Sequence, residues 1–212
     1  MREKMAAVGH ADQPTNAHVT QNASFSRLVS LAAHDLRTPL ATVSGFAKTL
    51  LRSGELEETA NRYVGIIEAA SAQMVELLDE LGLVARIEGD RYEPALREQD
   101  TRALADHAAE QLGSDRVHVS GEGGTVRVDA DAMPRAVSAL AQCALRHGGL
   151  DSVELVATGP VIELSPITPA SAPVVLGEDV RDLGAAVAGR LVQVLGGSVE
   201  LDGQTLRVTL PE

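Results

Sequence analysis

The residues best suited to chemistry sit together in one heptapeptide, His34-Asp35-Leu36-Arg37-Thr38-Pro39-Leu40. An imidazole is followed at once by a carboxylate, and one turn later by a guanidinium, a hydroxyl and a proline. Unperturbed imidazole titrates near pH ~6.5, so at neutral pH much of it is uncharged and able to attack phosphorus. On a helix, residues three and four apart share a face, which sets Arg37 and Thr38 beside His34. The guanidinium can neutralise phosphoryl oxygens, and the hydroxyl can hydrogen-bond a water or a phosphoryl oxygen. Asp35 is turned about 100° around the axis and must lean back to reach the ring. Pro39 cannot donate to the carbonyl of Asp35, so a bend is expected beside the histidine.

The flanking pattern supplies the helix that this cluster needs. From Asn22 or Ser24, either a suitable N-cap, apolar residues recur at Phe25, Leu28, Ala32, Leu36, Pro39, Val43, Phe46 and Leu50. This heptad-like stripe ends at the turn signal Ser53-Gly54. A second stripe runs through Leu56, Ala60, Tyr63, Ile67, Ala70, Met74, Leu77, Leu81 and Val84, and stops near Glu88-Gly89-Asp90. Two helices of about 30 residues joined by a short turn make an antiparallel hairpin. Alone they leave much apolar surface wet, which a second copy would cover by completing a four-helix bundle. The alternative is a hairpin packed on the chain's own C-terminal half.

The organisation expected is a flexible tail over 1–21, the hairpin over 22–90 and an α/β sandwich over 91–212. The tail is polar and aperiodic, and its His10 and His18 lack further ligands at metal spacing. After Tyr92, helices are expected over 100–112, 131–147 and 179–195. Strands are expected at 117–119 and 125–128 across a Gly-rich turn, at 153–157 and 161–164 around Gly159-Pro160, and at 198–201 and 205–210 as a closing hairpin. A Pro-containing loop fills 165–177.

Composition narrows the setting. The chain of 212 residues is 44% hydrophobic but has no Trp, two Phe and two Tyr, so its cores are aliphatic. A net charge of −12 argues against nucleic-acid and anionic-membrane partners. The single cysteine, Cys143, excludes an intrachain disulfide and suits a reducing cytoplasm. No apolar run approaches the roughly 20 residues of a membrane span, and no signal-peptide core is evident, so a cytoplasmic location is expected.

The heptapeptide resembles the phosphoacceptor box of the sensor histidine kinases of bacterial two-component signalling. The resemblance implies that His34 accepts the phosphoryl group, that Asp35 is the general base orienting the ring, and that Thr38 positions water for dephosphorylation. The element order after Tyr92 resembles the ATP-binding domain of the same family, with departures. Val128-Asp129-Ala130-Asp131 and the helix ending Ala144-Leu145-Arg146-His147 resemble the segment carrying the magnesium-coordinating Asn, but Cys143 stands at that place and Ala139 at another family Asn. A thiol is a poor ligand for a hard cation. The Asp-x-Gly-x-Gly turn is replaced by Ser165-Pro166-Ile167-Thr168-Pro169, and the lid shrinks to 170–178. The second glycine box reads Asp182-Leu183-Gly184-Ala185, keeping only Gly184 and adding a carboxylate where phosphates would sit.

The expectation is a dimeric histidine phosphotransferase resembling those of bacterial phosphorelays, with response-regulator phosphatase activity through Thr38. It would exchange phosphoryl groups with receiver domains that supply Mg²⁺, and this chain would bind ATP weakly or not at all and no metal. The alternatives are an active ATP-dependent kinase and a non-catalytic pseudokinase that binds a regulator. Cys143 is read as a small buried core residue, and His107, His118 and His147 as solvated surface residues.

Overall fold

The computed structural model describes residues 16–212, with side chains from residue 25 onward. Helix α1 spans Asn16–Ser53 and α2 spans Glu58–Glu88. Of the expected tail, residues 1–15 lie outside the described residues. Residues 16–21 belong to α1, whose start therefore precedes both Asn22 and Ser24. No Gly or Pro interrupts that stretch, so the helix propagates back from its amphipathic part. α1 stays helical through Pro39, and Gly54, at φ +68°, turns the chain toward α2.

Small side chains bring the two helices together. Ser26, Ala33, Ser44 and Ala47 of α1 and Ser71 of α2 are buried. The apolar stripe of α1 faces elsewhere, with exposure running from 45% at Leu50 to 69% at Phe46. Tyr63, Ile66, Ile67, Met74 and Leu77 extend the bare surface along α2. The last turns of α2 behave differently. Leu83 is buried, and Val84 and Ile87 pack against the core of the C-terminal half, while Arg190 Nε lies 3.1 Å from Glu88 Oε1. Packing on the chain's own second half thus occurs, but it covers only the foot of the hairpin.

The second half runs β1 (Leu96–Asp100), α3 (Thr101–Leu112), β2 (Val117–Gly123), β3 (Thr125–Asp129) and α4 (Ala132–Gly148). It continues with β4 (Val153–Thr158), β5 (Val161–Ser165), α5 (Ala172–Val175), α6 (Leu183–Val194), β6 (Ser198–Asp202) and β7 (Thr205–Thr209). The larger sheet has the order β2-β4-β5-β7-β6. β2 pairs parallel with β4, and the remaining pairs are antiparallel. α3, α4 and α6 cover one face around Leu104, Met133, Leu155, Ile162, Leu164, Leu191 and Leu206, all almost wholly buried.

The hairpins β4–β5 and β6–β7 form as the alternation indicates. β2 and β3 do not pair with each other. β3 joins β1 in a separate two-stranded sheet, because the chain leaves β2 at Gly121 and Gly123, whose φ values are +93° and +74°. A Cβ at Gly121 would come 2.0 Å from the carbonyl oxygen of Ala157, so only glycine permits that backbone approach. The last helix begins at Leu183 rather than near Asp179, and α5 lies within the expected loop.

Candidate functional site

His34 projects from the middle of α1 into solvent, its side chain 75% exposed. Asp35 does lean back, its Oδ1 lying 3.2 Å from Nδ1 of the ring. An ionised carboxylate only accepts, so this contact puts the proton on Nδ1 and leaves the lone pair of Nε2 facing water. His34 shares a shallow groove with Arg37, Thr38, Ala41 and Thr42. Thr42 Oγ1 donates to the carbonyl of Thr38 at 3.2 Å, holding that turn in register.

Arg37 is tethered as well as adjacent. Its guanidinium donates to Asp79 Oδ1 of α2, and Asp79 Oδ2 lies 3.6 Å from Arg135 Nη1 of α4. The phosphoryl contact expected of Arg37 therefore has a competitor across the hairpin. Neither Asp79 nor Arg135 stands out in the sequence, because their partners are distant along the chain.

The positions compared with a nucleotide site gather where α4 ends and α6 begins. Cys143 is fully buried, and burial, reinforced by Asp182, pushes its thiol up to about 12. Asp182 caps α6, with Oδ1 accepting from the N–H of Ala185 at 3.1 Å. Its other oxygen lies 3.2 Å from His147 Nε2 and 3.7 Å from Arg146 Nη1. His147 is consequently not the solvated residue expected, with a side chain only 19% exposed. Its four-residue spacing from Cys143 was the available signal.

Ser165 ends β5, and the chain then buries Ile167, Val174 and Val175, each 1–2% exposed. Gly184 survives for packing: a Cβ there would meet Glu80 Oε1 at 2.9 Å and Ala139 Cβ at 3.0 Å. Glu80 itself is pushed up to about 7 by burial and by the neighbouring Asp182 and Glu76. A neutral thiol suits Mg²⁺ poorly, and the chain's own carboxylate already occupies the helix N-terminus that would otherwise attract phosphate.

Residues 26–90 match the His Kinase A (phospho-acceptor) domain. The chain is 24% identical over 208 residues, 92% of its length, to an uncharacterised sensor-like histidine kinase of Rhizobium meliloti, of which it covers 36%. It is 30% identical over 129 residues, 56% of its length, to the sensor protein DivL of Caulobacter vibrioides, covering 16% of that protein. The chain thus spans about a third or less of these relatives. Among solved structures, full-length ShkA in complex with AMPPNP superposes with a TM-score of 0.61 at 20% identity, over 86% of this chain and 44% of that one. That likeness fixes the fold, a helical hairpin followed by an α/β domain of the histidine kinase ATP-binding type. Residues 26–90 thus carry a His Kinase A (phospho-acceptor) domain, and the chain as a whole is similar in sequence and fold to sensor histidine kinases.

Proposed function

We propose that the protein is a dimeric histidine phosphotransferase of two-component signalling, exchanging a phosphoryl group between His34 and response-regulator receiver domains without ATP-dependent autophosphorylation. In this reading Nε2 attacks the phosphorus of an aspartyl phosphate on a receiver. The N–P bond forms, the P–O bond to the aspartate breaks, and the carboxylate leaves with the electron pair. The ring becomes cationic, and Asp35 stabilises its Nδ1–H. The reverse sequence delivers the group to a second receiver. Mg²⁺ belongs to the receiver, where carboxylates suit it. Arg37 can turn a spare N–H toward the phosphoryl oxygens while keeping Asp79, and Thr38 is placed to orient water for dephosphorylation.

The observation that carries the reading is the contrast between the two ends of the machinery. The acceptor is open and oriented, whereas the α6 N-terminus is closed by Asp182. The bare apolar stripe supports a second copy as the partner that covers it. Among the described residues no helix is long and apolar enough to cross a membrane, and a cytoplasmic setting is part of the proposal. The competing reading, an ATP-fed kinase, draws on the fold shared with ShkA in complex with AMPPNP.

Label from a phosphorylated receiver is expected on His34 and none from γ-labelled ATP. His34→Ala is expected to abolish transfer, and Thr38→Ala to keep transfer while slowing dephosphorylation by about a hundredfold. Incorporation from ATP that His34→Ala removes would establish the kinase instead.

A further inference from the structure

We propose that Cys143, His147 and Asp182 form a binding site for a borderline-soft divalent transition metal, with Zn²⁺ as the fitting ion. Their ligand atoms all lie within 4.8 Å of one another. In a tetrahedral zinc site, bonds of about 2.0–2.3 Å hold the donor atoms roughly 3.3–3.8 Å apart. The trio therefore needs only modest side-chain closure to grip an ion. Cys143 and His147 are four residues apart on α4, so both project from one face of the helix toward the same point. Asp182 comes from the other side, at the start of α6.

The carboxylate is already oriented for the task. Its Oδ1 is held by the N–H of Ala185, so Oδ2 is the oxygen presented to His147. Anchoring of this kind from outside the ligand set is what fixes a metal ligand's direction. Binding releases the Cys143 proton to solvent; the resulting thiolate and one carboxylate balance the two charges of the ion, and the imidazole adds a neutral donor. Sulfur, nitrogen and a single oxygen select zinc over magnesium. Cys143 lies fully buried at the bottom, while the side chains of His147 and Asp182, 19% and 10% exposed, form the mouth. Water supplies the fourth ligand there. Arg146, 55% exposed, is the present neighbour of Asp182 and is free to swing outward as the ion enters. A metal so held would clamp the C-terminal end of α4 to the N-terminal end of α6.

The test uses the full chain, stripped with a chelator and titrated with Co²⁺ and then Zn²⁺. The sequence holds one cysteine, so a thiolate-to-cobalt charge-transfer band can come only from Cys143. We expect that band at one ion per chain, its displacement by Zn²⁺, and a rise in unfolding temperature on binding. Cys143→Ser abolishes the band; His147→Gln and Asp182→Asn weaken binding at least about tenfold. His34→Ala leaves binding unchanged, which separates this site from the phosphotransfer chemistry. Circular dichroism establishes that each variant is folded, and Asp182→Asn keeps a side-chain oxygen able to cap α6. A folded wild-type protein with no charge-transfer band would overturn the proposal, as would undiminished affinity in His147→Gln.

Discussion

The carboxylate of Asp129 accepts from the Tyr92 hydroxyl at 2.7 Å and from the backbone N–H groups of Ala95, Asp131 and Ala132 at 2.8–3.0 Å. It therefore fastens the segment after α2 to the start of α4. Burial alone would push this carboxyl up, but the Tyr92 hydroxyl and the backbone donors together hold it below the usual range. A folded-state value below the unfolded one means that the stabilisation is complete above about pH 4 and is lost as the pH falls through the lower value. Asp129→Asn should cost about 2 kcal/mol at pH 7. The gap from wild type should narrow at pH 3, as read by urea denaturation, and a pH-independent gap would refute this account. The lean of Asp35 toward His34 was legible in sequence because the two residues are adjacent. The grip of Asp129 on Tyr92 was not, since its partner lies 37 residues away. His147 was misjudged for the same reason, its partner lying 35 residues on.

At the scale of elements, the long periodic helices were readable and the short strands less so. Both hairpin helices cover their stripes, although α1 begins ahead of the expected cap, and the α1 stripe is indeed bare in the single chain. β1 escaped notice because Leu96, Arg97, Glu98, Gln99 and Asp100 are mostly exposed and show no alternation. The Gly-rich turn between β2 and β3 does not say which strands pair; backbone room at Gly121 decides it, and room cannot be read from spacing. The exposed stripe leads to a prediction. Phe46 is 69% exposed, and burying a Phe stabilises by about 1.5–3 kcal/mol. In the proposed dimer, Phe46→Lys should therefore raise the dissociation constant at least about tenfold, as followed by light scattering across a dilution series. An unchanged constant would place the two-fold contact on another face.

At the scale of the whole molecule, Asp79 joins the helix bearing His34 to α4 through Arg37 and Arg135. These pairs are partly exposed, so together they contribute only about 0.5–1 kcal/mol. Their removal should register as local loosening rather than global unfolding. Asp79→Ala is expected to speed amide exchange in the last turns of α2 and the first turns of α4 while the sheet keeps its protection. Equal exchange in both proteins would mean that Leu83, Val84 and Ile87 suffice to seat the hairpin. Such bridging between halves lies beyond what periodicity and motif spacing can reveal. The cap at Asp182 also bears on how reversible this architecture is over evolutionary time. Replacing it with glycine, to reopen the α6 N-terminus to phosphate, would strip the N–H of Ala185 of its acceptor and His147 of its partner. Losing such a cap costs a few tenths of a kcal/mol with glycine and about 1 kcal/mol with alanine. On the proposed reading that the capped α6 N-terminus excludes nucleotide, the first mutational step toward a nucleotide site would thus lower stability before any ligand could compensate.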